Sequence, residues 1–425
     1  MKVELKAKWL QHVLQPKRKS RFQQRFWLLT ILAGVLFTSV LPSFLKPAAA
    51  PAATPVAPGA APSQQKPTSA PDSLGQELLQ EVAQCIAAAA TSPEQASPAA
   101  LQAASMQCLF KIVLLAPDGS IRPDASKRLT TLVTVSGVSL PQPTSQGQAS
   151  VKLKPLAGSQ VFTIPVLVAG QPKTFLLDTG ASGSIIDSQI AAQLGIAGNP
   201  IPNELLAYMV VGDNCSNVNA TINPLPVLAV NSAKVEGLNG LGLPQKSIPG
   251  KLSGVLGLDF LSGFDVILNP KTFALQLLPP SNSVKGAIPL VGKLGSMTAQ
   301  IKINGQGPFT FLLDTGADVS VVSKRLAQRL SMNGPKLKEI EVEGFCGTEK
   351  GKQVKLAQVS LQQHQVSQLD AVILGSRVFD LLGIDGIIGQ NFLNRYQQHW
   401  RFGKRDALGL PQEGSLVLTS LRQSQ

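Results

Sequence analysis

An internal repeat constrains the fold of this chain more than any other feature. Two segments read Phe175-Leu176-Leu177-Asp178-Thr179-Gly180-Ala181 and Phe311-Leu312-Leu313-Asp314-Thr315-Gly316-Ala317. A second element repeats downstream, as Gly254-Val255-Leu256-Gly257 and Gly386-Ile387-Ile388-Gly389. The offsets from each aspartate agree closely, since 255 − 178 = 77 and 387 − 314 = 73. Two landmarks at like separation predict two copies of one structural unit.

The local pattern within each copy predicts β-strands followed by a short helix. An apolar strand and a Gly-containing turn lead into the strand that ends at each aspartate. An apolar pair and a helix-capping residue follow, with Asp187 before a helix over 190–194 and Ser323 before a helix over 326–330. Each copy is therefore expected to be mainly β.

The aspartates are candidates for chemistry because each follows three apolar residues. A strand of that kind is buried, and a buried carboxylate is costly unless it is partnered or protonated. Gly180 and Gly316 let backbone donors approach the carboxylate. The hydroxyls of Thr179 and Thr315 can bond to the equivalent loop of the other copy. An isolated Asp-Thr-Gly often caps a turn, but two copies in one context favour a paired site.

These residues resemble the retropepsins and their bacterial retropepsin-like relatives over about residues 151–421. The resemblance implies two tandem closed β-barrel lobes, 151–282 and 284–421, related by a pseudo-two-fold axis. It implies that Asp178 and Asp314 form the catalytic dyad of an aspartic endopeptidase. The supporting loop residues would be Thr179, Gly180, Ala181, Thr315, Gly316 and Ala317. The elements behind the dyad would be Val255, Leu256, Gly257, Ile387, Ile388 and Gly389.

The chemistry expected of such a dyad follows from two like charges held close together. Two carboxylates in one site retain a proton, so one can activate water while the other donates to the scissile carbonyl. No metal or other cofactor is expected. Ala181 and Ala317 stand where pepsin-like enzymes commonly carry a hydroxyl residue, so we expect a less acidic pH optimum than pepsin's. The chain has three histidines, none in a recognisable nucleophile motif.

Some positions depart from the family pattern. Leu258 and Gln390 stand where many retropepsins have an arginine that pairs with an aspartate just beyond the tetrapeptide. The position just beyond the tetrapeptide is Asp318 in the second copy, as in the family, but Ser182 in the first copy. The two lobes are therefore predicted to be non-equivalent, with contacts between them made differently.

The four cysteines allow three pairings on counting alone. Cys85 and Cys108 would bridge two helices of an N-terminal module, if the helices bring them together. Cys215 and Cys346 lie in the best candidates for flaps, 210–215 and 342–347, where a bridge between them would restrict substrate entry. The alternative is that these two are small buried hydrophobes or have local partners.

The charge and hydropathy of the N-terminal segment predict export of the protein rather than nucleic-acid binding. Much of the net charge of +13 lies in the basic segment 1–25, which precedes the apolar segment 26–45. This arrangement favours a membrane anchor, with a cleaved signal peptide as the alternative, and places the remainder outside the cytoplasm in the cell envelope. Residues 46–72 predict an Ala/Pro-rich linker, 73–140 an α-rich module and 141–150 a second linker.

The function predicted is hydrolysis of peptides or unfolded protein segments by a pseudodimeric monomer. The competing hypothesis is a protein of the same fold that binds a peptide or partner without cutting it. A third alternative is that each lobe pairs with a lobe of another chain.

Overall fold

The computed structural model describes residues 73–90, 98–118, 120–135, 142–332, 334, 337–406 and 409–421. The predicted basic segment, membrane segment and first linker lie outside these residues. Within the described ranges, no helix combines the length and apolar character that a bilayer span requires.

The N-terminal module consists of three helices joined by a π-helical segment. The helices are α1 (Ser73–Ala90), α2 (Pro98–Leu109) and α3 (Ala125–Val135), and the π-helical segment is Phe110–Leu114. The first two match the two helices that were expected to carry Cys85 and Cys108. The third, α3, was not predicted, although its buried residues Ala125, Leu129 and Leu132 recur at helical spacing. Cys85 in α1 is bonded to Cys108 in α2, with the two Cα atoms 5.8 Å apart.

Lobe 1 is built on an eleven-stranded sheet. Its strands are β1 (Thr144–Gln146), β3 (Lys154–Pro155), β4 (Phe162–Val168), β5 (Gln171–Leu177), β6 (Ile185–Asp187), β7 (Asn199–Pro200), β8 (Thr221–Pro224), β9 (Leu228–Val230), β10 (Ala233–Glu236), β11 (Asn239–Leu243) and β12 (Gly254–Leu256). Three short helices interrupt this lobe: α4 (Ser188–Gln193), α5 (Asn203–Met209) and α6 (Leu258–Leu261).

Lobe 2 repeats this plan within a thirteen-stranded sheet. Its own strands are β15 (Ile288–Lys293), β16 (Ser296–Ile303), β17 (Gln306–Leu313), β18 (Ser320–Ser323), β19 (Glu339–Gly344), β20 (Gly347–Leu361), β21 (His364–Leu374), β22 (Gly386–Ile388), β23 (Tyr396–Phe402) and β24 (Glu413–Ser420). The helices of this lobe are α7 (Lys324–Arg329), α8 (Arg377–Leu382) and α9 (Gln390–Leu393). The mainly β, two-lobe fold expected from the repeat is confirmed.

A six-stranded layer joins the two lobes. Lobe 1 contributes β2 (Ala149–Lys152), β13 (Asp265–Asn269) and β14 (Ala274–Leu278), and lobe 2 contributes β15, β24 and β23. The order is β15-β24-β23-β13-β14-β2, with β13 and β23 antiparallel at the centre, where Ile267 pairs with His399. The two halves of this layer are equivalent by the pseudo-two-fold relation, and Trp400 is fully buried in the core beside it.

The structure corrects the interpretation of residues 141–150 as a linker. Residues 144–146 pair with β10, and residues 149–152 pair with β14. The first strand, Thr-Ser-Gln, is polar throughout, and the second, Ala-Ser-Val-Lys, alternates over only four residues, so neither is easily recognised from sequence. The edges of distant strands supply their hydrogen bonds.

Candidate active site

The two aspartates follow equivalent strands, and the two predicted backing elements lie directly beside them. Strand β12 runs parallel to β5, pairing Leu256 with Leu177, and β22 runs parallel to β17, pairing Ile388 with Leu313. The backbone N–H of Asp178 donates to the Leu256 carbonyl at 3.2 Å, and that of Asp314 donates to the Ile388 carbonyl at 2.9 Å. Each aspartate is thus held at the end of a buried strand pair.

Backbone donors of the same loop hold each carboxylate. Oδ1 of Asp178 accepts hydrogen bonds from the N–H groups of Gly180 at 2.7 Å and Ala181 at 3.2 Å. Oδ1 of Asp314 accepts the equivalent bonds from Gly316 at 2.7 Å and Ala317 at 3.1 Å. The two loops therefore have nearly identical local geometry.

Hydrogen bonds between Thr179 and Thr315 join the two loops. The N–H of each threonine donates to the hydroxyl of the other, at 3.0 and 3.1 Å. The Thr179 hydroxyl donates to the Leu313 carbonyl at 2.9 Å, and the Thr315 hydroxyl donates to the Leu177 carbonyl at 3.1 Å. The loops that were predicted to meet from sequence do meet within one chain.

The glycine of each loop faces the aspartate of the other. A Cβ atom placed on Gly180 would lie 2.3 Å from Cγ of Asp314, and one on Gly316 would lie 2.4 Å from Cγ of Asp178. Any side chain at these positions would collide with the opposing carboxylate. Glycine is required here because the two carboxylates approach the opposing backbone this closely.

The two carboxylates share a buried site from which solvent is excluded. Both Asp178 and Asp314 are 0% exposed. Burial raises the pKa of Asp178 well above its ordinary value, and the charge of Asp314 and a side-chain hydrogen bond with Asp314 raise it further. The backbone donors of Gly180 and Ala181 oppose this shift. Two carboxyl groups buried at one site cannot readily both ionise, so the pair is arranged to hold one proton.

A serine six residues after each aspartate hydrogen-bonds to the backing element of its lobe. These two serines, Ser184 and Ser320, were not predicted from the sequence. The Ser184 hydroxyl accepts from the Gly257 N–H at 3.1 Å and donates to Asp259 at 2.6 Å. In lobe 2, the Ser320 hydroxyl accepts from the Gly389 N–H at 3.2 Å and donates to Asn391 at 2.8 Å. Aligning the two copies residue by residue would have revealed it.

The two lobes differ in the residue that accepts the hydrogen bond from the Ser184 or Ser320 hydroxyl. Asp259 is a buried carboxyl group whose pKa is raised by burial, against the opposing effects of its hydrogen bonds and of Arg405. Asn391 is neutral, and its amide donates to the Asp370 carbonyl at 2.6 Å. The predicted non-equivalence of the lobes therefore extends to the residues behind the dyad.

The positions that depart from the family pattern make their own contacts. Asp318 accepts hydrogen bonds from the Gln160 N–H at 2.6 Å and the Ser159 hydroxyl at 3.2 Å, which link the lobes. Leu258 and Gln390 are fully buried. Ser182, at the place equivalent to Asp318, is also buried.

The two predicted flaps have different structures. In lobe 2, β19 and β20 form a hairpin whose turn contains Phe345 and Cys346. In lobe 1, the candidate flap segment 210–215 is a loop that follows α5 and not a hairpin. The segment Asn203–Met209 is rich in leucine, alanine and methionine, which favour a helix over a strand. Cys215 of this loop is disulfide-bonded to Cys346.

The N-terminal module packs next to this loop. The ring of Phe110 meets that of Tyr208 in α5 edge to face, with centroids 5.2 Å apart. The guanidinium of Arg377 lies 5.2 Å from the centre of the same tyrosine ring.

Among the described residues, no three His, Cys, Asp or Glu side chains cluster as a metal site would require.

Both lobes are similar to a known protein family. Residues 164–263 and 299–395 each match the family described as "gag-polyprotein putative aspartyl protease". The solved structures that resemble the chain include a retropepsin-like aspartic protease from Rickettsia conorii. It has 19% sequence identity and a TM-score of 0.22, and the match covers 32% of this chain and 94% of that one. No curated protein matches the chain. With the family match falling on both lobes and spanning both aspartate loops, the two lobes belong to the retropepsin-like aspartyl peptidase family.

Proposed function

We propose that the protein is an aspartic endopeptidase whose dyad is Asp178 and Asp314. The observation that carries this proposal is the approach of the two carboxyl groups, each against the glycine of the opposing loop. A binding protein would have no need of two buried carboxyl groups at one point, since they are costly to keep in an apolar interior.

The mechanism follows from the shared proton. The ionised carboxylate removes a proton from a water molecule, which attacks the carbonyl carbon of the scissile peptide bond. The protonated carboxyl group donates to the carbonyl oxygen as the tetrahedral intermediate forms. The intermediate then collapses with proton transfer to the leaving nitrogen, and the dyad again holds one proton. Burial favours this state because it raises the pKa of Asp178.

The substrate proposed is a peptide or unfolded protein segment in an extended conformation. The β19–β20 hairpin and the loop after α5 meet between the lobes, and a strand-like peptide can hydrogen-bond to backbone groups of such segments. The protein would act as a pseudodimeric monomer, since one chain supplies both loops. Its two disulfides support a location outside the cytoplasm, where such bonds persist.

Cleavage of a mixed peptide library by the soluble portion tests the proposal. We expect reduced wild-type protein to cleave peptides, and Asp178→Asn and Asp314→Asn each to lower the rate by at least about a thousandfold, because an amide cannot exchange the shared proton. Asp380→Asn, at an exposed aspartate of α8, is the matched control and should retain full activity. Peptide binding without cleavage would favour the non-catalytic alternative, and equal cleavage by all variants would exclude this dyad.

A further inference from the structure

The lobe 2 hairpin is fastened to lobe 1 by more than its disulfide. The N–H of Cys346 donates to the Val211 carbonyl at 3.2 Å, and the N–H of Asn214 donates to the Cys346 carbonyl at 2.9 Å. A Cβ on Gly344 would lie 2.2 Å from the Val211 oxygen, and one on Gly212 would lie 2.7 Å from the Cys346 carbonyl carbon. The two backbones are in direct contact on both sides of the bridge. We call this joined segment, residues 210–215 and 344–347, the strap.

The strap completes a ring that includes both aspartate loops. From Asp178 the chain runs to Cys215, crosses the disulfide to Cys346 and returns through lobe 2 to Asp314. The threonine hydrogen bonds and the six-stranded layer hold the opposite side of this ring together.

The strap is part of the apolar core that also contains the dyad loops. Phe345 is fully buried and belongs to the apolar cluster that contains Ala181 and Ala317, which adjoin the dyad, and residues of the N-terminal helices. The carboxyl groups of both aspartates are inaccessible to solvent. Substrate must therefore displace apolar side chains of this cluster to reach the dyad.

We infer that, while the disulfide is intact, this ring limits the substrates to linear peptides with a free end. The inference rests on the proposed peptidase function. A hydrogen-bonded flap opens by local fluctuation and admits the middle of a chain. A covalent strap does not open, so a peptide must thread beneath it from one end. Cyclic peptides and internal loops of folded proteins would be excluded until the bridge is reduced.

A small thiol can reach the disulfide through a cavity beside the strap. This cavity has a volume of about 390 Å³ and is lined by Asp213, Cys215, Ser216, Glu349 and Arg377 among others. A thiolate that attacks the Cys215 sulfur forms a mixed disulfide and releases the Cys346 thiolate. A second thiolate attacks the reductant's sulfur of that mixed disulfide, which releases Cys215 and the oxidised reductant. Two electrons pass from the thiols to the bridge, and protonation yields two cysteine thiols.

The test compares a linear peptide with a head-to-tail cyclic peptide that contains the same cleavage sequence. The enzyme is used oxidised, reduced with a small dithiol, and as Cys215→Ser/Cys346→Ser. The oxidised enzyme should show a linear-to-cyclic rate ratio on the order of tenfold or more above that of the other two forms, a difference well beyond experimental error. An unchanged ratio in all three forms would overturn the inference.

Control variants distinguish opening of the strap from loss of the other disulfide or loss of folding. The variant Cys85→Ser/Cys108→Ser removes the other bridge, keeps the strap and should respond to the dithiol as wild type does. Cleavage of the linear peptide verifies that each variant is folded, and reduction of the wild type gives the same comparison without substitution. If no form cleaves the linear peptide, the peptidase proposal fails. Binding of both peptides then decides the inference, and equal binding of the cyclic peptide before and after reduction would refute it.

Discussion

Thr179 and Thr315 lie 136 residues apart in the sequence, and each donates its backbone N–H to the hydroxyl of the other. Each hydroxyl in turn donates to the carbonyl that precedes the opposite aspartate. Every polar group of the two threonines that faces the other loop is thereby paired. This reciprocal arrangement sets the separation of the two carboxyl groups.

Replacing Thr179 by valine should destabilise the protein and lower its activity. Valine preserves the shape but removes one hydroxyl, which leaves the Thr315 N–H and the Leu313 carbonyl buried without these partners. Each such group costs about 1–3 kcal/mol, so for the two groups we expect a loss of roughly 2–6 kcal/mol in the free energy of unfolding. Urea denaturation measures this loss. Thr179→Ser keeps the hydroxyl and should retain most of the stability; equal losses in both variants would show that the methyl group matters instead.

Adding a methyl group at Gly180 should abolish peptidase activity. The new Cβ would lie 2.3 Å from Cγ of Asp314, so the carboxyl groups must separate. We expect kcat/KM to fall by at least about a hundredfold, since catalysis depends on sub-ångström placement of the reacting groups. Gly334→Ala is the control, because a Cβ there meets nothing within 4 Å. Normal activity of Gly180→Ala would contradict the close approach of the loops.

The Asp178→Asn variant should be more stable than the wild type at neutral pH but not at acid pH. The pKa of Asp178 is raised in the folded state from an ordinary value of 3.8. Below pH 3.8 the group is protonated in both states and adds no pH dependence. As pH rises, the unfolded chain ionises first, so wild-type stability declines until the pH passes the folded pKa.

Asparagine cannot ionise, so it removes this decline. We expect a gain of roughly 1–3 kcal/mol at pH 7 and little change at pH 3. Urea denaturation of the two proteins at both pH values measures the difference. Asp380→Asn, at an exposed site, should show no such pH-dependent gain. A gain of the same size at both pH values would mean that relief of ionisation is not its cause.

Replacing Ala181 by serine should shift the activity profile to lower pH. The Asp178 carboxylate has backbone donors from Gly180 and Ala181, and a serine hydroxyl would add another. A further donor to the ionised form lowers the pKa of the dyad. The alkaline limb of kcat/KM, where the shared proton is lost, should therefore move to lower pH. Ala181→Gly adds no donor and should leave that limb in place, and a wild-type optimum near pH 2 would contradict the premise.

Short-range features of the site were predictable from sequence. Asp187 and Ser323 were expected to cap the helices after each aspartate loop, and each accepts a hydrogen bond from a backbone N–H at the start of its helix. Capping depends on residues two or three positions apart, which a sequence displays directly. The third N-terminal helix was missed although Ala125, Leu129 and Leu132 recur at the spacing of one helix face, so the signal for it was present in the sequence.

Long-range relationships were harder to predict. The contact of Ser184 with Asp259 joins residues 75 positions apart, and neither residue stands out by itself. The lobe 1 flap candidate, 210–215, is a loop after α5, whereas its counterpart in lobe 2 lies at the turn of the β19–β20 hairpin. Repetition of a motif does not require repetition of the segments between its landmarks.

The sequence by itself determined that the chain contains two copies of one strand–turn–strand unit, each ending in an aspartate. That information is local, because strand burial, glycine turns and helix caps depend on neighbouring residues. Only the tertiary structure decided that the two loops meet within one chain and that Cys215 bonds to Cys346 across the lobes. Such pairings depend on how distant strand edges and apolar faces pack together, and no short stretch of sequence encodes that.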